Sequence, residues 1–192
     1  MVCFVTKNEP VLDSFADNCT KGLNTATDDN DALQAFKNAF YGLRNQGVKY
    51  NQVGSSEWDP HFTQDIKYPK DVINQKAGTC IELSICMAAM MESVGIKSYI
   101  YLIPGHAIPA IALPNSGTIY PIESTFLDKN YAWGHYQQAI TQATPEGQNA
   151  CDVTAETCIN VAISEINNEY QNGWVLIIDV GAAWASGIVP PE

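Results

Sequence analysis

The clearest periodic pattern in the chain lies in residues 31–46. Its apolar side chains recur three or four residues apart, as they do on one face of an α-helix: Leu33, Phe36, Phe40 and Leu43. Residues 28–31 precede this face with acidic and amide side chains that favour a helix start, and Gly47 follows it. The pattern therefore predicts an amphipathic helix.

A second helix is predicted from about Cys80 to Val94, where Gly95 ends it. Glu82, Cys86 and Ser93 fall on one narrow stripe of this helix, and nearly every other position is apolar. A helix that is apolar over most of its circumference lies in the middle of a domain. We therefore expect a buried central helix that begins at a cysteine.

The remaining pattern mixes strands with polar helices. Strands are predicted at residues 2–5, 97–103, 106–113 and 118–122, helical pieces at 11–19, 66–75, 136–143 and 155–170, and a late strand or buried anchor at 174–180. Asn115-Ser116-Gly117 supplies a hairpin turn between two of these strands. The expected fold class is α+β.

Composition and charge exclude some classes of function. The 192 residues suit one compact domain, and 21 acidic against 10 basic side chains give a net charge of −11. Such a surface repels phosphate backbones and anionic lipid headgroups, so we expect neither nucleic-acid binding nor membrane-surface binding. The most apolar window, residues 99–114, is interrupted by Pro104, Gly105 and Pro109, and so predicts no membrane span.

The cysteines and histidines argue against a metal site. Six cysteines and three histidines occur, with no Cys-x-x-Cys pair, so we predict no metal ion and no cofactor. The N-terminus lacks the features of a signal peptide, so either the protein is cytosolic or a leader has been removed. We predict a disulfide between Cys151 and Cys158 and, if the protein is exported, a second between Cys3 and Cys19. These disulfides favour an extracytoplasmic location. Cys86 is expected to be a free thiol.

Three residues stand where a nucleophile, a base and an orienting acid would be placed. Cys80 begins the buried helix, His106 begins a strand, and Glu123 ends the following strand. A helix N-terminus favours the thiolate form of a cysteine, and neighbouring strands can bring an imidazole to the sulfur and a carboxylate to the imidazole. The alternatives are a small core residue, a strand-capping histidine and an ordinary edge carboxylate.

The motifs around these residues resemble the transglutaminase-like superfamily of cysteine enzymes. The matching blocks are Gly78-Thr79-Cys80, Gly105-His106-Ala107 and Ile122-Glu123-Ser124-Thr125, and the chain ending fits at Asp179-Val180 and at residues 187–190. The likeness is specific across residues 66–126 and looser across 31–65 and 127–192, and it is closest to bacterial and archaeal single-domain members. Many members carry Asp at the third site, where this chain has Glu123.

The resemblance implies a papain-like core, with a central helix packed on an antiparallel sheet. Residues 1–192 would form one domain, with its core at about 31–126 and a helical extension at about 127–192. Cys80 would be the nucleophile, His106 the base and Glu123 the orienting residue. The oxyanion would be held by the backbone N–H of Cys80 together with an upstream side chain, for which Gln75 and Trp58 are candidates.

The leading hypothesis is a cysteine-dependent acyl-transfer enzyme that hydrolyses an amide or peptide bond through a thioester at Cys80. Its substrate would be a peptide, a protein or a cell-wall peptide. Transfer to an amine instead of water would make it a transglutaminase. A further alternative is a binding module that keeps the fold with little activity. Were Glu123 structural instead, Asp128 would be the first other acid to consider.

Overall fold

The computed structural model describes residues 1–6, 9–52, 65–135 and 153–190. The helices are α1 (Pro10–Thr20), α2 (Asp29–Asn45), α3 (Pro69–Gln75), α4 (Cys80–Ser93), α5 (Lys129–His135), α6 (Ala155–Gln171) and α7 (Val180–Ala185), with short 3-10 helices at Val2–Phe4 and Ser124–Leu127. The strands are β1 (Lys49–Tyr50), β2 (Ala77–Gly78), β3 (Ser98–Ile103), β4 (His106–Ala112), β5 (Ile119–Pro121) and β6 (Leu176–Asp179). This mixture of helices with an antiparallel sheet is the expected α+β class.

The main sheet has four antiparallel strands in the order β5-β4-β3-β6. The hairpin β3–β4 occupies its centre, and β6 joins the free edge of β3 from far along the chain. A separate two-stranded parallel pair, β1 with β2, places Tyr50 opposite Gly78, two residues before Cys80. The β1–β2 pair therefore brings the chain after α2 close to the start of α4.

Helix α4 lies in the core, as its sequence predicts. Every residue from Glu82 to Met91 is buried, and the helix packs against β3 and β4 as well as against α1, α2 and α3. A capping box closes its N-terminus: the Thr79 hydroxyl accepts the Glu82 N–H, and the Glu82 carboxylate accepts the Thr79 N–H at 2.8 Å. The box fixes the backbone immediately before and after Cys80.

The capping box gives a prediction about stability. Thr79→Ala removes the hydroxyl that accepts the Glu82 N–H, so we expect the free energy of unfolding to fall by about 1 kcal/mol. Thr79→Ser, which keeps a hydroxyl at the same place, is the matched control and should lose much less. Urea unfolding followed by circular dichroism measures both. Equal losses in the two variants would show that the hydroxyl does not carry the cap.

The two faces of the sheet are covered by different helices. Apolar residues of one face, including Ile100, Ala107 and Ile111, join the core around α4. The alternate residues, Tyr101, Ile108 and Ala110, pack with Ala162 of α6. The central hairpin is thus buried on both sides.

The turn between β3 and β4 sets the register that positions His106. Pro104 and Gly105 are its two residues, and Ile103 pairs with His106 directly across it. Gly105 has φ +73, which a glycine adopts without strain, and proline followed by glycine is favoured in such turns. His106 therefore begins β4 at the very end of the hairpin.

Most predicted elements are confirmed, with one error at the N-terminus. Residues 2–5, predicted as a strand, form a short 3-10 helix instead, with Val2 buried against the core and no strand partner among the described residues. Residues 11–19 belong to a full helix, α1, and 174–180 contains the edge strand β6. The helix predicted at 136–143 lies outside the described residues.

The predicted disulfides are not formed. Cys3, Cys19, Cys80, Cys86 and Cys158 are all free thiols. Cys158 is fully buried in α6 and Cys19 is buried in α1, so one thiol of each expected pair lies in the core. Cys151 itself lies outside the described residues. The expectation that Cys86 is free is confirmed.

Among the described residues, none of the helices combines the length and the apolar character that crossing a membrane requires.

Candidate active site

Cys80 is the first residue of α4 and is half-buried. Because the first N–H groups of a helix have no partner within it, they point toward whatever lies beyond the N-terminus. The Cys80 thiol thus lies at the positive end of a buried helix, where negative charge is stabilised. This is the location expected from the sequence.

His106 stands between the other two predicted residues. Its Nε2 lies 2.6 Å from the Glu123 Oε2, and its side chain is only 19% exposed. The imidazole and the Cys80 thiol line one cavity, and the thiol contributes to the raised pKa of His106. Since Nε2 is engaged by Glu123, Nδ1 is the nitrogen that remains for Cys80. The structure therefore brings all three residues together, with the imidazole bonded to the carboxylate and beside the thiol.

Glu123 is completely buried and held from several directions. Its Oε1 accepts the Thr125 N–H at 2.9 Å and the Thr125 hydroxyl at 2.5 Å, which leaves Oε2 for His106. Its backbone N–H donates to the Cys158 carbonyl of α6 at 3.1 Å. These bonds fix the carboxylate before any substrate is present.

The electrostatics of the pair favour a charged imidazole beside a charged carboxylate. Burial lowers the pKa of His106, but its interactions with Cys80 and Glu123 outweigh this and raise the pKa from 6.5 to about 10. Burial raises the pKa of Glu123, because it too disfavours the charged form. The hydrogen bonds from His106 and Thr125 outweigh this effect, so the pKa of Glu123 is lowered overall. His106 is therefore protonated across the neutral pH range.

A cavity of about 280 Å³ opens beside the thiol. It is lined by Tyr50, Thr79, Cys80, Ile81, Leu102, Gly105, His106 and Ala107. A nucleophilic side chain and an imidazole therefore share one solvent-accessible space that is large enough for a small acyl group.

Comparison with known protein families gives one match. The family model of the transglutaminase-like superfamily matches residues 13–107, which include Cys80 and His106 and stop before Glu123. This part of the chain belongs to the transglutaminase-like superfamily. No curated protein and no solved structure matches the chain.

Two tyrosines next to this transglutaminase-like site were not predicted from the sequence. Tyr50 and Tyr131 pack with their ring centroids 4.4 Å apart. Burial, and then the negative charge of Cys80, Tyr131 and Glu123, raise the pKa of Tyr50. No sequence motif marked Tyr50, because the two-residue strand that carries it is too short to show a period.

A second carboxylate was also missed. Glu165 of α6 lies with His106 and Glu123 so that their ligand atoms fall within 4.8 Å of one another. Among the described residues, this is the group that could hold a metal ion, although the bond between His106 and Glu123 already occupies two of its atoms. Helical spacing alone gave no reason to bring residue 165 to the site.

The two residues predicted to assist Cys80 have different outcomes. Gln75 is exposed at the end of α3 and does not line the described cavity beside the thiol. Trp58 lies outside the described residues. The fallback acid, Asp128, instead accepts the Asn130 N–H at the start of α5 and lies 3.6 Å from the Lys49 Nζ.

Proposed function

We propose that this protein is a cysteine-dependent acyl-transfer enzyme that hydrolyses an amide or peptide bond. Cys80 is the nucleophile, His106 the general base and acid, and Glu123 the residue that orients and charges the imidazole. The supporting observation is the bond of 2.6 Å between Glu123 and His106, whose imidazole shares a cavity with the Cys80 thiol. Each of the three residues has the chemistry that its role requires.

In the first half of the reaction, the Cys80 sulfur attacks the substrate carbonyl carbon. The carbonyl oxygen becomes an oxyanion at the N-terminus of α4, where the Cys80 N–H stabilises it. The C–N bond then breaks as the His106 imidazolium gives its proton to the leaving amine. The products are a free amine and a thioester at Cys80, with a neutral imidazole.

In the second half, the neutral His106 removes a proton from a water molecule that attacks the thioester carbonyl. The C–S bond breaks, the acyl group leaves as a carboxylic acid, and Cys80 and His106 recover the starting proton. An amine in place of the water would give transamidation. Water at its high bulk concentration favours hydrolysis at a site that stays open to solvent.

The proposal extends to the architecture. We propose that α4 and the antiparallel sheet are a papain-like core, because the nucleophile begins the helix that packs on the strands carrying the base. We also propose that residues 1–192 form one domain, with the core at about 31–126. The contact of β6 with β3 supports this, since it joins the last part of the chain to the central hairpin.

Trapping of the acyl-enzyme tests the proposed function. A small activated ester, p-nitrophenyl acetate, should release a stoichiometric burst of nitrophenolate and leave an acetyl group on Cys80, detected by peptide mass spectrometry. Cys80→Ser should abolish the burst, whereas Cys86→Ser, a matched change of a buried thiol on the same helix, should keep it. A competing amine shows whether acetate or an acetamide is produced.

Two results would contradict the proposal. Acetylation that maps to lysine side chains or to another cysteine would exclude Cys80 as the nucleophile. A folded wild-type protein that is never acetylated would favour the binding-module alternative.

A further inference from the structure

The cavity beside Cys80 continues past the imidazole. A second cavity, of about 430 Å³, shares Tyr50, Gly105 and His106 with the first. The imidazole thus faces two connected spaces, of which only the first contains the thiol. A substrate with its carbonyl at Cys80 can extend into the second space.

One face of α6 forms the outer wall of this second cavity. Glu165, Asn168 and Glu169 line it, at the three- and four-residue spacing that places side chains on one side of a helix. The turn between β3 and β4 lines it as well, at Pro104 and Gly105. Two carboxylates therefore face the space that adjoins His106.

The groove extends further along the same helix face. A third cavity, of about 530 Å³, is lined by Pro104, Glu169, Asn172 and Trp174, and it shares Pro104 and Glu169 with the second. Trp174 is 67% exposed, which is unusual for so large an aromatic side chain. Three adjoining cavities thus form a groove that leads from Cys80 to an exposed indole.

The charged side chains along this groove are mostly acidic. Among the described residues that line its three cavities, Glu165 and Glu169 are the acids, and His106, already bonded to Glu123, is the only basic side chain. The chain as a whole carries −11. A groove with an excess of acidic groups concentrates cationic ligand groups.

We propose that this groove binds a cationic side chain, a primary ammonium or a guanidinium, of the peptide whose acyl carbon is transferred to Cys80. This inference rests on the proposed function and adds a substrate class to it. Glu165 lies close to His106, and Glu169 is one helical turn, or ~6 Å, further along. The indole of Trp174 beside Glu169 offers a cation–π contact to the same group.

Electrophilic peptide probes test the substrate class. The probes are peptidyl fluoromethyl ketones, which alkylate a nucleophilic thiol. They carry lysine, norleucine or glutamate at one of two positions, the first or the second residue from the reactive carbon. Norleucine keeps the aliphatic chain of lysine without its ammonium. Saturation kinetics separate KI, which reports binding in the groove, from the maximal inactivation rate, which reports the thiol.

We expect the lysine probe to have a KI about tenfold lower than that of the norleucine probe, and the glutamate probe to bind worst. Glu169→Gln should reduce the lysine preference about threefold, and Glu165→Gln combined with it should nearly abolish it. Glu156→Gln is the matched control, because Glu156 lies on the same helix but pairs with Lys37 at 2.8 Å, away from the groove. It should leave the preference unchanged.

Iodoacetamide, which has no side chain to place in the groove, separates the two levels of the proposal. The proposed cation subsite would be overturned if the lysine and norleucine probes had equal KI at both residue positions while iodoacetamide still alkylated Cys80. The proposed function would stand in that case. A lysine preference that survives the double variant would also overturn the cation subsite. If iodoacetamide does not alkylate Cys80 either, the proposed function fails, and the subsite fails with it.

Discussion

Iodoacetamide at pH 6 is expected to alkylate Cys80 before the other five cysteines of the chain, and at least ~100-fold faster than the buried thiols. Burial raises the pKa of Cys19 to about 11 and of Cys86 to about 12, and it also raises the pKa of Cys158. These three thiols are thus uncharged at pH 6 and buried, whereas Cys80 is half-buried and lines a cavity together with a cationic imidazole.

The imidazole is the source of this selectivity. Because the pKa of His106 is raised to about 10, the ring carries its charge at every pH below that value and loses it only as the pH rises through about 10. His106→Ala removes the charge beside the sulfur, so labelling at pH 6 should fall about 100-fold. The deficit should shrink at higher pH, where hydroxide removes the thiol proton without the imidazole.

Quenched-flow labelling with peptide mapping from pH 5 to pH 9 measures these rates. Cys80→Ser serves as the blank, since the remaining labelling then reports the other cysteines. Similar rates for Cys80 and Cys86, or a His106→Ala rate that follows the wild type at every pH, would exclude the thiol–imidazole pair.

Glu123→Gln is expected to lower both the acylation and the alkylation of Cys80 by about 100-fold or more at neutral pH. The variant keeps the size of the side chain and the acceptor for Thr125, but it removes the charge that stabilises the imidazolium. The new amide N–H₂ group would face Nε2 of His106. Nε2 must then accept, so the proton moves to Nδ1, and the nitrogen facing Cys80 can no longer take its proton.

A neighbouring carboxylate provides the control. Asp128 is also buried and also caps a helix, but it bonds to Asn130 and not to His106. Asp128→Asn should therefore cost stability while it leaves the reactivity of Cys80 near the wild-type rate. Glu123→Asp should retain part of the rate, because a carboxylate remains although its reach is one methylene shorter.

The structure also changes the expected effect of Glu123 on stability. From its place at a strand end, Glu123 is expected to affect folding little, yet it is fully buried and accepts three hydrogen bonds. Its replacement by Gln should therefore cost about 1–3 kcal/mol of stability. A Glu123→Gln variant that melts lower but reacts normally would show a structural role only.

The positions of Cys80 and His106 at the starts of α4 and β4 could be predicted from the sequence because each follows a strong local signal. Glu123, expected to end a strand, lies two residues past β5 and caps a 3-10 helix. The apolar circumference of α4 marks a buried helix, and a Gly–Thr pair marks its start. The hairpin strands likewise show their ends through Pro104-Gly105 and Asn115-Ser116-Gly117. Local chemistry thus placed Cys80 and His106 at element ends.

The parts of the site that were missed depend on contacts between distant segments. Glu165 reaches His106 only because α6 packs on the second face of the sheet, and β6 pairs with β3 across more than seventy residues. Tyr50 arrives through a two-residue strand. No period or turn signal in one segment encodes which other segment it will meet.

The two-residue turn at Pro104 and Gly105 limits how this site can vary in evolution. Side chains alternate between the faces of a strand, so one inserted or deleted residue that shifted β4 by one position would turn residue 106 toward α4 and away from Glu123. Homologues that keep the chemistry should keep this spacing even where the turn residues differ.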